Sequence, residues 1–169
     1  MSGLDSLSIW LAEPHDAAVV ATLRASVAAH LTRQYGRGHW SSCPTEAGVL
    51  RSIKTSRVLL ARLGDEVVGT VRLATKKPWA IDLAYFTLVT RALYLHDLAV
   101  APEAQRQGIG RQLIEQAKAV ALAWPGQAIR LDAYDHPAGA GPFYRRCGFR
   151  NAGQATYRRV PLLYFELVF

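Results

Sequence analysis

In Gln105-Arg106-Gln107-Gly108-Ile109-Gly110, two glycines stand between a strand-like apolar run and a helical pattern. Glycine there lets the backbone approach another group closely or take a positive φ. The first-turn amides of a helix have no internal partner, and the helix dipole adds partial positive charge. Such a turn can therefore hold an anion such as a pyrophosphate. Arg106 and Arg111 stand where side-chain charge would add to that field. A plain connection from strand to helix can carry the same letters, so the segment alone leaves both readings open.

Few other residues announce chemistry by spacing. Cys43 and Cys147 are the two cysteines; they form no CxxC pair and have no neighbouring His at metal-ligand spacing, so both read as reduced thiols and no metal is expected. The net charge is +7, which invites a nucleic-acid partner. The basic residues are scattered rather than gathered in a tail, which makes nucleic acid an unfavoured partner without excluding tRNA. No apolar run approaches the roughly 20 residues of a membrane-spanning helix. The start of the chain lacks a basic and then apolar leader pattern, so a cytoplasmic protein with no membrane partner is expected.

The elements that must position the Gly segment follow from periodicity. Leu7–Leu11 reads as a strand, and Pro14-His15-Asp16 opens a helix to about Arg33, with Val20, Leu23, Val27 and Leu31 as its apolar stripe. Thr45 caps a second helix reaching Ile53. Arg57–Leu63 and Glu66–Thr75 form a hairpin across Gly64-Asp65. Lys76–Leu83 is loop, and Tyr85–Thr90 is either a turn or an extension of the strand over Arg91–Val100. A helix over Ile109–Ala123 ends at Trp124-Pro125-Gly126. A strand at Ile129–Tyr134, a helix over Pro137–Cys147 stopped by Gly148, and strands near Phe149–Gln154 and Leu162–Val168 complete the chain. At 169 residues with no linker or repeat, 1–169 reads as a single domain. The final apolar strand is either internal or a sheet edge, which leaves a homodimer open.

Leu95-His96-Asp97-Leu98-Ala99-Val100-Ala101-Pro102-Glu103, followed by Arg106-Gln107-Gly108-Ile109-Gly110, resembles the central motif of the GCN5-related N-acetyltransferase (GNAT) family. Pro142-Phe143-Tyr144-Arg145-Arg146-Cys147-Gly148-Phe149 is similar to the family's last motif. The resemblance implies an α/β (α+β) fold: a mixed, mostly antiparallel sheet of about seven strands flanked by about four helices and splayed at the cofactor strand. It implies acetyl-CoA, or another acyl-CoA, as co-substrate. The pyrophosphate would lie on Gln105, Arg106, Gln107, Gly108, Ile109, Gly110 and Arg111, and the pantetheine along the backbone of Leu98, Ala99 and Val100.

The same resemblance implies that Tyr144 faces the coenzyme sulfur and protonates the leaving thiolate; its alternative is an aromatic packed beside Phe143 and Phe149. Tyr94-Leu95-His96 is similar to the corresponding strand of the serotonin N-acetyltransferases, in which His at both outer positions helps remove the amine proton. His96 alone keeps an imidazole here, with an ordinary pKa near ~6.5 that suits a general base, against the alternative of a hydrogen-bonded structural group. Asp97 would point to the opposite face of a regular strand, unless a β-bulge near Leu98 changes the alternation. Glu66 and Asp82 are weaker bases. The family often has Asn where His136-Pro137 stands. Tyr35, Trp40, Trp79 and Tyr85 could line an acceptor pocket or simply pack. The expected reaction is acyl transfer to a primary amine of a small molecule by direct attack. A protein amine, an aminoacyl-tRNA or a non-catalytic acyl-CoA-binding module are the alternatives.

Overall fold

The computed structural model describes residues 6–169; the part of the leader reading that falls on residues 1–5 lies outside them. Among the described residues seven strands and four α-helices follow one another as β1 (Leu7–Leu11), α1 (Ala17–Tyr35), α2 (Glu46–Thr55), β2 (Arg57–Leu63), β3 (Glu66–Ala74), β4 (Ala92–Val100), α3 (Ile109–Ala123), β5 (Ala128–Tyr134), α4 (Gly141–Arg146), β6 (Arg150–Tyr157) and β7 (Val160–Val168). The strands hydrogen-bond in the order β1-β2-β3-β4-β5-β7-β6. β4 and β5 run parallel, from Ala92 opposite Ala128 to Tyr94 opposite Arg130, while β4 itself continues to Val100. The backbone gathers into two compact units, Met1–Leu73 with His96–Ala117, and Ala74–Leu95 with Lys118–Phe169.

In the first unit β1, β2 and β3 form an antiparallel meander, with Leu7 opposite Leu63 and Arg57 opposite Leu73. Gly64, at φ +61°, makes the turn between β2 and β3. α1 buries Ala17, Val20, Leu23 and Ala28, while Val27 and Leu31 of the expected stripe are half-buried. Ala17 and Val20 meet Val49 of α2 and Leu60 of β2 in one apolar cluster. α2 starts where the Thr45 hydroxyl accepts the Gly48 amide at 3.0 Å. Gly69 of β3 is a close-approach position, since a Cβ there would lie 2.8 Å from Leu113 Cδ1 and 3.3 Å from Ile109 Cγ2. Ile109 and Leu113 are buried, so the start of α3 is seated directly on β3.

In the second unit β7 lies between β5 and β6, antiparallel to both. The apolar tail is therefore an internal strand, and Tyr164 and Phe165 are among its fully buried side chains. Tyr85–Thr90 is not a strand extension: a 3₁₀ turn spans Leu83–Tyr85, with Asp82 accepting the Ala84 amide. The last helix is shorter than its sequence suggests, Gly141–Arg146 instead of Pro137–Cys147. Residues 137–140 fold as a turn instead: the Gly139 amide bonds the His136 carbonyl at 2.7 Å, and His136 Nδ1 accepts the Ala138 amide at 2.9 Å. Gly148 ends the helix at φ +91°, donating to the Arg145 carbonyl.

Candidate active site

Within β4 the residue following His96 leaves extended geometry. Asp97 has φ +58°, a left-handed conformation that Asp tolerates better than most residues. Its carboxylate accepts from Arg24 Nη2 of α1 at 3.0 Å and from Arg72 Nε of β3 at 2.8 Å. Neither arginine carried a sequence signal, because they lie far from Asp97 along the chain. His96 is half-buried beside this cluster. Burial first, then the Arg72 and Arg24 charges, pull its pKa down to about 4, against the opposing pull of Asp97. The imidazole is thus neutral at ordinary pH and a weaker base than an unperturbed histidine.

β4 leads into the Gly segment through a tightly held connection. The Ala101 amide bonds the Val68 carbonyl at 2.8 Å, Pro102–Ala104 forms a 3₁₀ turn, and Gln105 Nε2 donates to the Val100 carbonyl at 3.0 Å. Arg106 at φ +61° and Gly108 at φ +85° are both left-handed. Left-handed residues in a turn can aim successive amides into a concavity that attracts anions. α3 begins at once, with the Gln112 amide bonding the Gly108 carbonyl at 3.1 Å. Gln105, Arg106, Gln107, Gly108 and Arg111 are exposed, whereas Ile109 is buried and anchors the turn. Gly108 has the positive φ its type allows; Gly110 does not need one, and the left-handed Arg106 carried no sequence signal. Leu98 and Val100 are half-buried, with Ala99 buried between them.

In the second unit Tyr144 is buried in α4, its ring packed on Phe143, Phe149 and Phe165 at centroid distances of 5.5, 5.8 and 5.9 Å. Tyr85 packs edge-on against Tyr164 at 5.2 Å, and Trp79 is 82% exposed. In the first unit Tyr35 and Trp40 pack edge-on at 6.5 Å. Glu66 is exposed where the β2–β3 hairpin begins its return strand, and Asp82 is occupied as the cap of a turn. Asp132 of β5 had no sequence signal, yet burial pushes its carboxyl up, a perturbation common at functional sites. Among the described residues no group of three or more His, Cys, Asp and Glu side chains is placed to hold a metal ion. No helix among them is long and apolar enough to cross a membrane.

The structure is similar to many solved ones. A GCN5-related N-acetyltransferase from Rhodopseudomonas palustris aligns with a TM-score of 0.74 at 19% identity, covering 98% of this chain and 97% of that one. A ribosomal-protein-alanine N-acetyltransferase from Brucella melitensis gives 0.74 at 17% identity, covering 96% and 99%. A putative acetyltransferase from Salmonella typhimurium, solved with its cofactor acetyl-CoA, gives 0.71 at 16% identity, covering 97% and 94%. At these identities the likeness shows the fold. No curated protein matches the sequence. The acetyltransferase (GNAT) family model matches residues 10–149 and so runs through both compact units; over that span, with the left-handed Asp97 and the left-handed turn inside it, this chain belongs to the GNAT family.

Proposed function

We propose that residues 1–169 act as one acyltransferase domain that moves an acetyl group from acetyl-CoA to a primary amine of a small molecule, by direct attack within a ternary complex. The left-handed Arg106 and Gly108 turn at the start of α3 is the observation that carries the donor, because it offers backbone amides and arginine charge to a diphosphate. In this reading the amides from Gln105 to Arg111 take the pyrophosphate, and the backbone of Leu98, Ala99 and Val100 pairs with the pantetheine. His96 accepts the proton of the attacking amine. Tyr144 returns one to the departing thiolate. The bond formed is amide C–N, the bond broken is thioester C–S, and the proton taken from nitrogen is balanced by the one given to sulfur.

A neutral His96 suits this role, because a protonated one could accept nothing. Its low basicity favours amines whose conjugate acids are themselves readily deprotonated, and the Arg24 and Arg72 charges beside it would help an ammonium lose its proton. Calorimetry with acetyl-CoA and thiol release across a panel of small amines test the reading. Absence of CoA binding at about 1 mM sinks it. A second reading, a macromolecular amine as acceptor, is favoured by the net charge of +7. Thiol release with peptides or aminoacyl-tRNA but with no small amine would establish it in place of the first.

A further inference from the structure

Arg130 of β5 is buried, at 5% exposure, and its Nε has no hydrogen-bond partner. Its two terminal nitrogens donate to the Thr87 carbonyl and, at 3.5 Å, to the Tyr94 hydroxyl, and its guanidinium lies over the Phe86 ring at 5.2 Å. None of these carries a negative charge. Its cross-strand neighbour Glu166 spends its carboxylate on the Thr87 amide and hydroxyl and on Arg150. Among the described residues no carboxylate lies within ion-pair distance of Arg130. A buried cation without a counter-charge is costly, and an orphaned donor adds to that cost.

Arg130 also lines a cavity of about 540 Å³ within the second unit, a size in the usual range for small-ligand sites. Leu83, Leu93 and Trp124 give the cavity apolar wall, and Thr90 and Arg91 add polar groups at its side; no acidic residue lines it. None of its lining residues belongs to those assigned above to acyl-CoA or to proton transfer. We infer that this cavity is a binding site for a small monocarboxylate with an apolar body, held by charge-assisted hydrogen bonds to the Arg130 guanidinium. The apolar wall selects the body, and the guanidinium fork selects the planar carboxylate. This inference does not rest on the acyl-transfer reading.

Trp124 at the cavity wall supplies the readout. Benzoate and 3-phenylpropanoate titrated into the whole protein are expected to change tryptophan fluorescence saturably, with a Kd of about 1 mM or tighter, while benzylamine and inorganic phosphate are not. Arg130→Met is expected to weaken carboxylate binding about tenfold or more, through loss of a charge-assisted contact. Because Arg130 is buried and its loss could harm folding, Thr90→Trp provides a second variant: it fills the cavity from an exposed position and should abolish binding with Arg130 intact. Acetyl-CoA affinity, measured in parallel, should be unchanged in Thr90→Trp. Absence of saturable carboxylate binding, equal binding of phosphate, undiminished binding in Thr90→Trp, or competition between carboxylate and acetyl-CoA would each overturn the inference.

Discussion

Tyr144 sits among three phenylalanine rings, so Tyr144→Phe keeps the packing and removes one hydroxyl. With that hydroxyl as the proton donor, the variant should lose about 100-fold in kcat while binding acetyl-CoA as before; an unchanged rate in a thiol-release assay takes Tyr144 out of the mechanism. His96 makes a prediction in pH. Its folded pKa of about 4 lies below the ordinary histidine value of 6.5, so the unfolded chain binds a proton that the folded chain refuses between those values. Stability therefore falls as pH drops through that window and is whole again above it, by roughly 1–3 kcal/mol for this one group. Urea titrations on either side of the window should show a gap that His96→Gln narrows. With His96 as base, the acid limb of kcat/KM should sit near its folded value rather than near that of a free imidazole. The imidazole itself was legible in the sequence, but its basicity was not, because burial, and after it the Arg72 and Arg24 charges, act on it only through the fold.

The connection from β4 through the left-handed turn into α3 was legible as a strand, a Gly-bearing turn and a helix, since each has a local signature. What seats it was not legible. Gly69 looks like a weak point in a β-branched strand, yet its missing side chain lets Ile109 and Leu113 close on β3. Gly69→Val should cost about 1–3 kcal/mol through overpacking and, by displacing the start of α3, weaken acetyl-CoA binding; thermal melts and calorimetry on the same preparation would check both. Gly108→Ala places a side chain on an exposed residue at φ +85°, so it should cost about 1–2 kcal/mol through backbone strain and raise the acetyl-CoA Kd. An unaltered Kd in both variants would dissociate the turn from the donor site. α4 shows the opposite error of reading, since helical spacing continues back to Pro137 while local hydrogen bonds by His136 hold those residues in a turn.

At the scale of the molecule the order of elements was legible, because hydrophobic periodicity changes between two and three or four residues where strand meets helix, and turn residues part elements of the same kind. The order in space was less so: β7 inserts between β5 and β6, a pairing that depends on contacts distant in sequence. That insertion places two side chains of β7 beneath the long segment preceding β4. The Tyr164 hydroxyl accepts the Asp82 amide at 3.3 Å and donates to the Ala80 carbonyl. Glu166 accepts both the amide and the hydroxyl of Thr87; burial pushes its carboxyl up, but the Thr87 bonds and then Arg150 outweigh it and hold the group below its ordinary range. The segment has little regular structure of its own, yet it is laced to an internal strand at two points. In heavy water its Asp82 and Thr87 amides should therefore exchange slowly, on the clock of the sheet rather than of a surface loop. Glu166→Gln should release Thr87 to fast exchange while Asp82 stays protected.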